Sequence, residues 1–439
     1  MSTSLLRSLL LYTCLALLAW PGQATLDIPA FEYQRKFHQP LNLGECPQRE
    51  IKVQAGNNST ALEEQRCNLH HRGSVTHIPR ELDDSQNVLI TSPSRVLAYL
   101  GLCGGEAAAF LGILNKGDCL AVEIASRLTF TEKTMVRAFV GYYRKSVDVL
   151  DSVETANNMI RDMDRYYRDK VYLKHRSYGT QEVIFVQFRF KSAKMTAAAK
   201  NVKLDSRAMS DYMRAVEQRV GKPRRITVIT LSTATQDTYE LKRFSGKLWD
   251  RAVRHVQIKE NEMRRTKNNI NTNVIFPHLM YTLYPFVEEK NTSLRTSDPI
   301  PWEKTSILEI QLRQAISVAK KTSRKCRGNR KKPCRRMREL RRKLIAIHAE
   351  IHTVRSEWYN YSMTEKQAFV ARYSARVKSY SSVTERVVSS VREMLKREKM
   401  KKFKRKKNKP NQIPMLTTGR MNRMHRIRHS RRRSKVRKG

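Results

Sequence analysis

The chain has 439 residues and a formal net charge of +46, from 86 Lys and Arg against 40 Asp and Glu. Self-repulsion of that size is costly unless an anionic partner relieves it, which excludes a merely solvated surface and implies polyanion partners. No segment beyond Trp20 approaches about 18 consecutive apolar residues, so no membrane-spanning helix is expected in the mature chain.

Arg7 precedes an apolar stretch to Trp20, and Pro21-Gly22-Gln23-Ala24 places small residues where a signal peptidase cuts. Residues 1–24 read as a secretory signal peptide, with a signal anchor as the alternative, and the remainder as an exported protein. Cys14 leaves with the signal. Cys46, Cys67, Cys103, Cys119, Cys326 and Cys334 remain, an even number that suits a disulfide framework outside the cell. Sequence-local pairing (46–67, 103–119, 326–334) is the expectation, and buried free thiols are the alternative. Asn57, Asn58, Asn291 and Asn360 open Asn-x-Ser/Thr triplets and are candidate glycan acceptors on the surface.

Residues 25–86 read as a loop-rich N-terminal segment. Asn87–Leu100 reads as a strand interrupted by Pro93, followed by a short apolar helix ending at Gly117. The stretch 118–145 alternates in places (Val122, Ile124, Val136, Tyr142) and predicts a long strand or hairpin. Met159, Met163, Tyr166, Tyr167 and Val171 then recur at helical spacing, predicting a helix capped by Ser152 and running to Lys174. Tyr178-Gly179-Thr180 is expected as the turn that launches a strand. Val183 and Phe185 lie on one face of that strand, and Ile184, Val186 and Phe188 on the other. With both faces apolar, it belongs inside a sheet.

Residues 193–220 are Ala- and Met-rich and predict helix, ending at Gly221. Ile226, Val228 and Thr230 oppose Thr227, Ile229 and Leu231 in another strand. Asp237 is expected to cap an amphipathic helix, with a loop over 264–273. A Pro-bearing loop around Asn291 leads to a helix marked by Ile307, Ile310, Leu312, Ile316 and Ala319. The basic stretch 320–343 encloses Cys326 and Cys334. Met337, Leu340, Leu344, Ile347, Ile351, Val354 and Trp358 then step by alternating threes and fours, a coiled-coil seam. Thr364 and Glu365 are expected to cap the next helix, giving an antiparallel helical hairpin able to self-associate, with two exposed helices packed on the main body as the alternative. Residues 399–439 are expected to be a disordered polybasic tail.

Without its loops, the middle of the chain reads strand, short helix, strand, helices, Tyr-Gly-Thr, strand, helix, strand, helix. Over about residues 87–320 this order, together with Tyr178, Gly179 and Thr180, resembles the membrane-attack-complex/perforin (MACPF) family. That resemblance implies an α+β fold: a bent antiparallel four-stranded sheet flanked by helical clusters that in lytic members refold into membrane hairpins. Residues 193–220 would be the second such cluster. Gln181 stands where the family signature has His, Glu182 where it has an aromatic, and Arg189-Phe190 near its glycine pair, so a stiffer sheet is expected. As a strand, 193–220 alternates poorly and places Lys200, Lys203, Arg207 and Arg214 where lipid would meet some of them, at about 2–4 kcal/mol each near the midplane. A non-lytic protein is therefore expected.

The domain reading is a signal peptide (1–24), N-terminal segment (25–86), MACPF-like domain (87–320), basic disulfide loop and helical hairpin (321–398), and tail (399–439). His70-His71 lacks a second pair at zinc spacing. No nucleophile elbow, phosphate loop or metalloprotease motif occurs, so neither an enzyme nor a cofactor is implied. The expected partners are sulfated glycans such as heparin, other extracellular polyanions, and anionic membrane surfaces. Specific nucleic acid is not among them, because an exported chain meets it only incidentally. Candidate contacts are Arg335, Arg336, Lys401, Lys402, Lys404, Arg405, Lys406, Lys407, Arg431, Arg432 and Arg433. The alternative is a matrix or mineral-binding protein of unrelated α+β fold.

Overall fold

A computed structural model describes residues 26–37, 39–45, 52–55, 59–62, 74–100, 119–151, 171–203, 208–233, 239–272, 277–285, 299–326, 328–329, 331–358 and 361–407. In chain order its strands are β1 (Leu26–Pro29), β2 (Lys52–Ala55), β3 (Ser59–Leu62), β4 (Val75–Ile90), β5 (Thr134–Leu150), β6 (Val171–Arg189), β7 (Arg225–Ser232), β8 (Glu240–Ser245) and β9 (His278–Pro285). The helices are α1 (Ala30–Phe37), α2 (Pro93–Leu100), α3 (Leu120–Arg127), α4 (Ala193–Lys200), α5 (Met209–Val220), α6 (Trp249–Thr272), α7 (Pro299–Lys325), α8 (Lys332–Ser356) and α9 (Met363–Lys407).

The expected α+β class and bent antiparallel sheet are present. Strands β4, β5, β6 and β7 run antiparallel in that order, and β8, β9 and β1 enlarge the sheet to seven strands among the described residues. Val183 sits opposite Leu231 and Phe188 opposite Ile226, so the two strands expected to be neighbours are neighbours. β6 occupies the centre because both its faces are apolar. Val183, Ile184, Phe185, Val186 and Phe188 are all fully buried. Alternation sends Val183 and Phe185 into a core shared with α2, α3 and α7, and Ile184, Val186 and Phe188 into a second core under α4, α5 and α6.

Several expectations are corrected. The Tyr178-Gly179-Thr180 stretch is the middle of a 19-residue strand, not a turn, and that strand starts at Val171, where a helix was expected. Residues 93–100 are helix, because Pro93 suits a helix's first turn and cannot donate to a ladder. Leu120–Arg127 is helix, not strand, and buries Leu120, Ala121, Val122, Ile124 and Ala125. Glu240–Ser245 is an added strand ahead of α6, and α6 runs through the polar 264–272 segment expected as loop. The 25–86 segment is not merely loop-rich, since β1 pairs with β9 and β4 pairs with β5.

At the C-terminus the positions spaced by alternating threes and fours face the interior of the helices. Met337, Leu340, Leu344, Ile347, Ile351 and Trp358 are buried, while Val354 is half-buried. The hairpin α8–α9 also packs on α7, however, so three helices meet and share the sheet's core. Ser362, not Thr364, caps α9. Its hydroxyl accepts from Glu365 N–H at 3.3 Å, and the Glu365 carboxylate accepts from Ser362 N–H at 2.8 Å, a capping box. α9 continues to Lys407, so residues 399–407 are helical, not disordered. The apolar helix expected over 106–117, the Ser152 and Asp237 caps, Cys14, Cys46, Cys67, Cys103, Asn57, Asn58, Asn291, Asn360 and Arg431–Arg433 lie outside the described residues.

Candidate functional site

Tyr178, Gly179 and Thr180 lie where β6 changes partners. Residues 171–178 pair with β9 and residues 182–189 pair with β7, while β5 follows the other edge. Gly179 N–H bonds Pro277 O at 3.0 Å, and Gln181 N–H bonds the Thr233 hydroxyl at 2.8 Å, which seals the gap between the two partners. Register slips line up across the sheet at Arg80 and Glu81 of β4, Lys145 of β5 and Leu279 of β9, with one more at Lys174 of β6 away from that line. Bulges bend strands, so this line is the crease of the sheet. Gly179 has φ +151°, and a Cβ there would stand 1.9 Å from Tyr143 O. Only glycine fits the crease at that point.

A polar cluster braces the crease. The Tyr178 hydroxyl donates to the Asp148 carboxylate, which also accepts from Arg176 at 3.2 Å and contacts His77 Nδ1 at 2.7 Å. Burial opposes the charge on Asp148, but the bonds from Tyr178, His77 and Arg176 outweigh it and hold the carboxyl below its ordinary value. Burial and the bond to Asp148 push the Tyr178 phenol up to about 12. His278 packs edge-on against the Tyr178 ring, and burial with nearby Arg176 lowers it to about 4, so it stays neutral. These groups hold one another in place and are arranged for rigidity.

Helices α4 and α5 form the excursion between β6 and β7. Thr196, Ala199, Met209, Tyr212, Met213 and Val216 are buried, packing with Met135, Phe188 and Trp249. No side chain of its own caps α5. Glu260 of α6 does so instead: its carboxylate accepts from Met209 N–H, from Ser210 N–H at 3.4 Å and from the Ser210 hydroxyl at 2.6 Å. Gly221 ends α5 with φ +95°, its N–H bonding Val216 O and Glu217 O.

The basic residues gather at one end of the α7–α8–α9 trio. Cys326 and Cys334 are joined, with Cα atoms 5.5 Å apart, and this disulfide closes the turn from α7 to α8. Glu398, near the end of α9, bonds Lys331 at 2.6 Å and Asn329 at 3.2 Å, which pins α9 to that turn. Exposed Arg324, Lys325, Lys332, Arg335, Arg336, Lys396, Arg397, Lys399 and Lys401 thereby share one region. Lys402, Lys404, Arg405, Lys406 and Lys407 extend the same helix. Sequence reading named Arg335, Arg336 and the tail as separate runs. The convergence, and the clamping role of Glu398, needed the fold. The 326–334 pairing stands as expected. Cys119 is disulfide-bonded, and its expected partner Cys103 lies outside the described residues. Among the described residues no group of His, Cys, Asp and Glu is disposed to hold a metal ion.

Among solved structures, the chain is similar to stonustoxin (8% identity, TM-score 0.36, covering 84% of this chain and 49% of that one). It is also similar to listeriolysin O (9% identity, TM-score 0.32, 60% and 58%). A third similar structure is the cytotoxin suilysin from Streptococcus suis (10% identity, TM-score 0.26, 60% and 59%). These are likenesses of fold alone, and the chain spans about half the length of the structures it matches, 49% for stonustoxin. No protein-family model and no curated protein matches the chain.

Proposed function

We propose that this is an exported, non-lytic protein of MACPF-like fold that docks on extracellular polyanions, sulfated glycans above all, through the basic end of α7–α9 and the tail that follows. The observation that supports this reading is the convergence of exposed Arg324, Lys325, Lys332, Arg335, Arg336, Lys396 and Arg397 around a disulfide-closed turn. Cations held close by a covalent clasp cannot relax apart, so a multivalent anion gains from all of them at once. The non-lytic part rests on α4 and α5, whose apolar faces are committed to the core and whose cations would burden a lipid-facing hairpin. Self-association would run through the helical trio.

The test is paired. The full chain should elute from a heparin column well above physiological salt, and Arg335→Glu with Arg336→Glu should move elution clearly lower. The same protein should release no dye from anionic liposomes. Elution at physiological salt would refute the glycan reading, and concentration-dependent leakage would refute the non-lytic one.

A further inference from the structure

Leu248 and Ile258 are large apolar side chains left 46% and 48% exposed. Arg251, His255 and Ile258 step by four and three along one face of α6, and Leu248 stands in the tight turn that leads into it. Beside this face, β8 supplies Lys242, Arg243 and Phe244. Lys242, Arg243, Phe244, Leu248, Arg251 and His255 together line an open pocket of about 300 Å³.

The pocket has an apolar base and a cationic rim. Phe244 is 9% exposed and its ring stands 5.8 Å from that of His255. Burial, with Lys242 nearby, lowers His255 below the ordinary imidazole value, so it adds no charge at neutral pH. Glu240 is already bound by Lys242 at 2.5 Å and Lys259 at 3.4 Å. Arg243 and Arg251 remain as exposed guanidiniums, whose forked donors suit phosphate oxygens. Exposed apolar residues flanking a cationic cleft match the boundary between lipid headgroup and acyl chain.

We propose that this pocket takes the phosphate of an anionic phospholipid headgroup, with Leu248 and Ile258 entering the acyl boundary beside it. The site shares no residue with the polyanion interface on α7–α9 and stands or falls independently of it.

The test is co-sedimentation of the full chain with phosphatidylcholine vesicles containing phosphatidylserine, with heparin elution as a control. Arg243→Gln with Arg251→Gln should weaken vesicle binding about thirtyfold and leave heparin elution unchanged. Leu248→Ser with Ile258→Ser should weaken it severalfold, again without moving heparin elution. All four positions are exposed, so both variants should keep the wild-type melting temperature. Vesicle binding equal to wild type in the arginine variant overturns the proposal. So does loss in the arginine variant alone, with the apolar variant silent and inorganic phosphate raising the wild-type melting temperature, because the site would then take soluble phosphate.

Discussion

The carboxylate of Glu260 caps α5 at Ser210, its second residue, accepting from the Ser210 N–H at 3.4 Å and the Ser210 hydroxyl at 2.6 Å across 50 residues of chain. The acid is only 4% exposed, so a helix end that lacks its own cap is completed from the helix packed beside it. Truncation leaves buried donors unmet. Glu260→Ala is expected to cost about 1–3 kcal/mol and to raise amide hydrogen exchange over residues 209–220 before the rest of the molecule. Glu260→Gln, which keeps one acceptor, should fall between. Uniform exchange in the Ala variant would show that the cap does not hold α5.

Gly179 is expected to tolerate no side chain. A methyl group there meets Tyr143 O at 1.9 Å and Arg144 Cα at 2.8 Å, both backbone atoms in the sheet's centre. Gly179→Ala should lower stability by about 2–4 kcal/mol in chemical denaturation, or abolish soluble expression. A variant as stable as wild type would mean the crease can shift.

Glu182 sets a pH dependence. Burial is the main cause, with Glu262 adding repulsion, and together they raise its carboxyl from 4.5 to about 7 despite a bond from Ser232 and the attraction of Lys259. A carboxyl raised in the folded state favours its neutral form there. Its contribution is therefore most favourable below the unfolded value of 4.5 and is lost as pH rises through about 7. The loss amounts to about 3 kcal/mol. Glu182→Gln should flatten this part of the profile, so that its gain in melting temperature over wild type appears at pH 8 and vanishes near pH 4. Parallel profiles would refute the assignment.

The Cys326–Cys334 bond closes a short loop, eight positions in separation. Replacing both with Ser should cost about 2–3 kcal/mol. It should also lower heparin affinity while leaving overall helicity by circular dichroism unchanged, because the clasp holds the α7 and α8 cations together. Unchanged heparin elution would remove the disulfide from the binding argument.

Much of this was legible in the residues. The two-faced apolar run Val183–Phe188, the alternation of Ile226–Leu231, the burial of Met337, Leu340, Leu344, Ile347, Ile351 and Trp358, and the 326–334 pairing each follow from local reading, and the structure agrees. Local patterning failed where a distant partner decided the outcome. Tyr178-Gly179-Thr180 looks like a turn because glycine punctuates it, yet β5 and Pro277 hold it within the strand. Leu120–Arg127 could be strand or helix by its short apolar run, and packing against α2 and α7 makes it helix. The sequence by itself determined which stretches must be buried and how much positive charge the surface must carry, because both are sums over side chains. Only the tertiary structure decided where the sheet creases, which acid caps α5, and that the basic stretch 320–343 and the basic end of α9 meet at one end of a helical trio, because those depend on residues far apart in the chain being brought within a few ångströms.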